Sequence, residues 1–133
     1  APFERARVRQ LALMADLYVD APARRHLGHV LFGRPRSPEA YREVPGELER
    51  GLGAIASLAA GFPWLVGAQF SYADICLFHA LGLASLVGER VYGRDPLASY
   101  PALCAWRERM KARESSQRVL KEQQQALRQL QGS

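Results

Sequence analysis

Strand signals are nearly absent from this 133-residue chain. No segment alternates apolar and polar residues for long, and no Asn-Gly or Asp-Gly pair offers a hairpin turn, which argues against a sheet-based fold. Long apolar runs are missing too: nothing uninterrupted approaches the roughly 20 residues of a membrane span. The opening segment APFERARVRQ carries arginine but no apolar signal core before Asp16 and Asp20 intervene, so no secretory leader is expected. Cysteine is limited to Cys76 and Cys104, both inside apolar helical patterns. They read as reduced, core-filling thiols of a cytosolic protein, with a disulfide as the alternative. There is no glycine-rich phosphate loop and no Gly-x-Ser-x-Gly elbow.

Lysine is scarce as well. Only Lys111 and Lys121 occur, so the formal charge of +5 rests on arginine. The arginines interleave with Glu43, Glu47, Glu108 and other glutamates, and their densest knots (Arg5/Arg7/Arg9, Arg24/Arg25, Arg34/Arg36) lack interleaved aromatics. A solvated face is the favoured reading, with no nucleic-acid and no membrane partner.

What is present is helical spacing throughout, in a length that suits one domain over residues 1–133. A first helix is expected over residues 3–31, kinked or interrupted at Pro22. It carries two apolar stripes, Leu11/Met14/Tyr18 and Leu13/Leu17, and a helix apolar on two sides has two things to pack against. Ser37-Pro38-Glu39 marks the start of a second helix, which turns Leu48, Leu52, Ile55 and Ala59 inward and ends at Gly61 and Pro63. Gly46, Gly51 and Gly53 weaken it but allow close approach. A third helix over residues 72–87 is apolar nearly all round and belongs in the middle of a bundle. A fourth starts near Pro101, with Leu103, Trp106 and Met110 on one stripe, and a fifth covers residues 116–130. The fold class is all-α, a bundle of about five helices.

Residues 61–74, GFPWLVGAQFSYAD, prepare the third helix. Ser71 followed by Asp74 makes a reciprocal cap, and Phe70 with Ile75 makes a hydrophobic staple around it. A buried helix start cannot leave its N–H groups to water, so these four residues read as structural.

WLVGAQFSYADICLFHAL and YPALCAWRERMKARESSQ together resemble the all-helical C-terminal domain of glutathione S-transferases. Leu65, Gly67, Phe70, Ser71, Asp74, Tyr100, Pro101, Leu103, Trp106, Arg109, Met110, Ala112 and Arg113 match that pattern over residues 62–117. Glu114 stands where the family usually has proline, so a less sharp break is expected there. The resemblance implies a hydrophobic pocket for an electrophilic small molecule, glutathione as co-substrate, dimer contacts along the first helix and a cytoplasmic protein. No β-α-β pattern occurs, so glutathione is expected to be held by a thioredoxin-like domain or subunit, and these residues alone to be inactive. The alternative is a non-catalytic interaction module of the same fold.

The resemblance places Tyr18, Arg24, Arg25 and His26 at the co-substrate pocket. The competing reading makes Tyr18 core and the arginines solvated, and both stand at this level. No catalytic residue is assigned. His26 and His29 share a helix face but lack further zinc ligands nearby, so no metal is expected. His79 reads as a hydrogen-bonded core histidine, and Cys76 as an inert thiol near a helix start.

Overall fold

Pro22 shapes the first helical arm without ending it. In the computed structural model, which describes residues 2–59 and 63–132 with the side chains of 114–116 excepted, α1 (Pro2–Ala15) runs on through a π turn (Asp16–Asp20) into α2 (Ala21–Arg24). Proline lacks an N–H and crowds the carbonyl four residues back, that of Tyr18. The π turn, in which Ala21 N–H reaches Asp16 O, widens the helix at that point. The Tyr18 carbonyl then faces Gly51, where a Cβ would stand 2.4 Å from its oxygen. Only glycine permits that approach. The real break follows at Arg25 and His26, before α3 (Leu27–Phe32), which ends on Gly33 at φ 67°.

The serine start of α4 (Pro38–Leu58) is as expected: Ser37 Oγ accepts from Ala40 N–H at 3.2 Å. Pro45 lies inside this helix and removes the N–H that the Tyr41 carbonyl needs. The Tyr92 hydroxyl fills the gap, sharing its proton between Tyr41 O at 3.0 Å and Ala40 O at 3.3 Å. The glycine expected to stop α4, Gly61, lies outside the described residues.

α5 (Tyr72–Tyr92) is longer than the sequence suggested, because Gly88 does not stop it. A Cβ there would meet the Pro96 ring at 2.4 Å, so this glycine serves close packing. The helix ends instead on Gly93, at φ 72°. It is also not wrapped on all sides. Ala73, Leu77, Ala80, Leu81, Ala84 and Val87 are buried, whereas Tyr72 is 65% and Ile75 50% exposed. By length and mean hydropathy (1.3 over its most apolar window) α5 could cross a membrane, a property that a search for uninterrupted runs overlooks. Here it packs along α1, with Asp74 fully buried at its start.

A 3₁₀ turn (Pro96–Ser99) leads to α6 (Pro101–Ala112), and the single extended residue Arg113 separates α6 from α7 (Glu114–Gly132). The break before Glu114 is therefore sharp. No strand occurs among the described residues beyond one isolated bridge, Trp64 to Gly67. The core gathers Leu11 and Val19, Val44, Leu48, Leu52 and Ile55, Leu77 and Leu81, and Leu103, Trp106 and Met110. None of the described side chains of α7 is fully buried, so it lies on the outside.

Candidate functional site

The two stripes of α1 meet different fates. Leu11 is buried and Met14 packs against the core, but Tyr18, expected on the same stripe, is 50% exposed, as are Leu13 at 58% and Leu17 at 49%. Four residues apart, Leu13 and Leu17 would share a face of an ordinary helix. They come instead to line separate concavities, because Leu17 lies inside the π turn. Leu13 lines a cleft with α5, and Leu17 and Tyr18 line a concavity of about 410 Å³ with α4.

The cleft with α5 measures about 540 Å³. α1 and the π turn supply Arg9, Ala12, Leu13, Asp16 and Asp20, while α5 supplies Tyr72, Cys76, His79 and Ala80 at one-face helical spacing. Ala12, Leu13 and Ala80 give an apolar wall, and the remaining groups place polar tips around it. Hydrogen bonding with the Cys76 thiol, then the charge of that sulfur, with burial and Asp16 adding less, raises the Tyr72 phenol above its ordinary range. Tyr72 is thus a standing O–H donor at neutral pH. Arg24 Nε holds Asp20 Oδ2 at 2.6 Å and neutralises it. Beyond Asp20 and His79 the cleft opens into a leucine-lined groove beneath α7. No group of three metal-ligating side chains occurs among the described residues.

The residues that the resemblance assigned to the pocket do not converge. Tyr18 is half-exposed on the α4 side, and Arg24 lines the groove beneath α7 rather than the cleft. Arg25 is engaged on the surface by Glu43 at 2.9 Å and Glu47 at 2.5 Å. His26 is buried, with Nε2 2.8 Å from the Tyr92 hydroxyl. That hydroxyl donates to α4, so His26 Nε2 carries the donating proton, and no partner for Nδ1 is found among the described residues. Burial, then the charges of His29, Arg25 and Arg36, lower the His26 pKa below its ordinary value.

Sequence reasoning met Cys76 and His79 singly and Tyr72 only as a helix start; their spacing of four and three residues was the signal that they share a wall. His79 is exposed rather than core, with Nδ1 3.2 Å from the Gln123 amide nitrogen. Both cysteines are free and half-buried, and Cys104 Sγ donates to Leu97 O at 3.1 Å.

At the start of α5 the cap joins three elements. Ser71 and Asp74 form the reciprocal arrangement, with Ser71 N–H donating to Asp74 Oδ2 at 2.9 Å and the Ser71 hydroxyl to the same atom at 3.3 Å. Oδ1 accepts from Leu65 N–H at 3.0 Å and from Trp106 Nε1 at 2.8 Å. Phe70 packs edge-on to Trp64 and under the Arg113 guanidinium, 3.6 Å from its ring centre, while Ile75 is half-exposed.

This all-helical architecture agrees with the sequence comparisons. Residues 38–109 match the family model described as glutathione S-transferase, C-terminal domain. The chain belongs to that family. It is 31% identical over 100 residues to a glutathione S-transferase of Pseudomonas putida, covering 75% of this chain and 46% of that protein. It is 32% identical over 126 residues to a protein of Oryza sativa subsp. japonica named as a probable glutathione S-transferase, covering 90% and 50% respectively. The chain thus spans about half the length of the curated relatives it matches.

Proposed function

We propose that the cleft between α1 and α5 is the co-substrate pocket of a glutathione S-transferase-like protein, completed by a thioredoxin-like domain or subunit that holds glutathione. The reaction is attack of the glutathione thiolate on an apolar electrophile. The observation that carries this reading is the open cleft itself: an apolar wall rimmed by donors and acceptors, on a flank where Leu13 and Tyr72 are exposed. Ala12, Leu13 and Ala80 exclude water from the electrophile, and the Tyr72 hydroxyl orients its polar end. The concavity around Leu17 and Tyr18 suits a second copy of the chain in a two-fold pair.

Titration of the chain with the fluorescent aromatic anion 1-anilinonaphthalene-8-sulfonate tests the pocket. Leu13→Trp, at an exposed position, is expected to weaken binding at least tenfold without unfolding the chain. Glutathione is expected to show no tight binding to the chain alone. Micromolar glutathione affinity, or probe binding indifferent to Leu13→Trp, overturns the reading.

A further inference from the structure

Rings surround the place where α4 crosses the end of α5. Pro45 of α4, Tyr92 of α5, Pro96 of the 3₁₀ turn and Tyr100 before α6 line a concavity of about 360 Å³ together with the buried Leu48. It shares no residue with the cleft between α1 and α5.

The rings are held in place. Tyr92 stacks on Tyr41, its hydroxyl donates to Tyr41 O at 3.0 Å, and it accepts from His26 Nε2 at 2.8 Å. The Tyr100 hydroxyl donates to Glu49 O at 3.1 Å. A Cβ at Gly88 would meet the Pro96 ring at 2.4 Å, so the 3₁₀ turn is seated directly on α5. Walls that lose little freedom when a ligand enters are preorganised for it. Both hydroxyl protons are spent on backbone carbonyls, so the tyrosines offer a ligand ring surface rather than donors.

Glu49 of α4 and Arg94, just after α5, add one charge of each sign to the lining. Both are exposed, and among the described residues neither side chain has an ion pair or hydrogen bond, with the other or with a third group. Their neighbours in sequence are tied: Glu47 to Arg25, and Asp95 to Arg107.

We propose that this concavity binds a small zwitterion of the betaine type, a quaternary ammonium joined to a carboxylate by a short methylene link. The methylated cation lies against the tyrosine rings beside Glu49, and the carboxylate meets Arg94. A quaternary ammonium is attracted to aromatic rings and gives up no hydrogen bond on leaving water. A primary ammonium would bring N–H groups to walls short of free acceptors, which is costly. A lone cation or a lone anion meets one opposite charge and one of its own sign.

Titration of the isotope-labelled chain with glycine betaine, followed by amide NMR shifts, tests the assignment. Three probes each remove one feature: choline lacks the carboxylate, 3,3-dimethylbutanoate replaces the cation by carbon, and glycine lacks the methyl groups. Betaine is expected to give saturable shifts at Arg94 and Tyr100, and to bind about fivefold more tightly than each of the three, the upper worth of one exposed charge contact. Arg94→Gln is expected to bring betaine down to the level of choline. Glu49→Gln, which keeps the backbone carbonyl that Tyr100 uses, is expected to bring it down to the level of 3,3-dimethylbutanoate. Both positions are exposed, so circular dichroism is expected to stay unchanged. Shifts that do not saturate, or that fall elsewhere on the chain, overturn the proposal. So does equal affinity for betaine and any of the three probes, or betaine binding indifferent to both substitutions.

Discussion

The carboxylate of Asp74 is fully buried and takes hydrogen bonds from Leu65 N–H, Ser71 N–H and Trp106 Nε1. Asp74→Ala strands these donors and is expected to cost about 3 kcal/mol or more. Ser71→Ala is expected to cost about 0.5–2 kcal/mol, the range for losing an N-cap, since the Ser71 hydroxyl serves the Asp74 N–H and adds a long bond to the same carboxylate. Urea midpoints of the two variants read the difference directly. His26 sets a pH dependence. Its folded pKa is lowered from 6.5 by burial, then by His29, Arg25 and Arg36, with Tyr92 and Tyr41 as the neighbouring phenols. The unfolded chain therefore takes up this proton first, and stability is full above about pH 6.5 and falls as the pH drops below it. His26→Gln is expected to flatten the slope of urea midpoints between pH 7.5 and about 5. Asp95 acts in a lower window. Burial alone would raise its carboxyl, but Arg107, Leu97 N–H and Ser85 together hold it below 3.8, so its contribution is lost only in stronger acid.

Among the elements, the crossing of the first arm with α4 turns on Gly51, where even a methyl group meets the Tyr18 backbone. Gly51→Ala is expected to destabilise the chain by about 1–3 kcal/mol, the usual range for overpacking, although alanine is the better helix former. A thermal melt showing stabilisation would contradict the close crossing. The two faces of α1 separate as cleanly. Met14→Glu places a charge against the core and is expected to unfold the chain or leave it severely destabilised. Leu13→Glu changes an exposed cleft residue and is expected to leave the helical circular dichroism signal intact.

At the level of the whole molecule, the flank of Leu17 and Tyr18 borders α4, whereas the cleft borders α5. Self-association through it predicts a two-fold pair that Leu17→Glu dissociates without loss of helicity, while Leu13→Glu leaves the pair intact. Light scattering at several concentrations reads both. If Leu17→Glu leaves the mass unchanged, the second copy is not on this face.

The helical class, the cap at Ser71 and Asp74, the serine start of α4 and the inward stripe of α6 were all legible in the sequence. They depend on spacing and on hydrogen bonds between residues a few positions apart, so local order carries them. The cleft, the groove and the corrected burial of α5 were not. Whether an apolar residue of α5 faces core, cleft or solvent depends on which helix lies opposite, and periodicity is silent on that. Pro22 and Gly51 are each readable alone, as a helix disturbance and a weak helix former. Only the fold brings the Tyr18 carbonyl against Gly51 and parts Leu13 from Leu17 onto different concavities. Likewise, Pro45 leaves a carbonyl unserved within α4, and the hydroxyl that serves it comes from Tyr92, at the far end of another helix. Local chemistry fixed the helices and the starts of α4 and α5, and long-range packing decided where α5 ended and which surfaces stayed open.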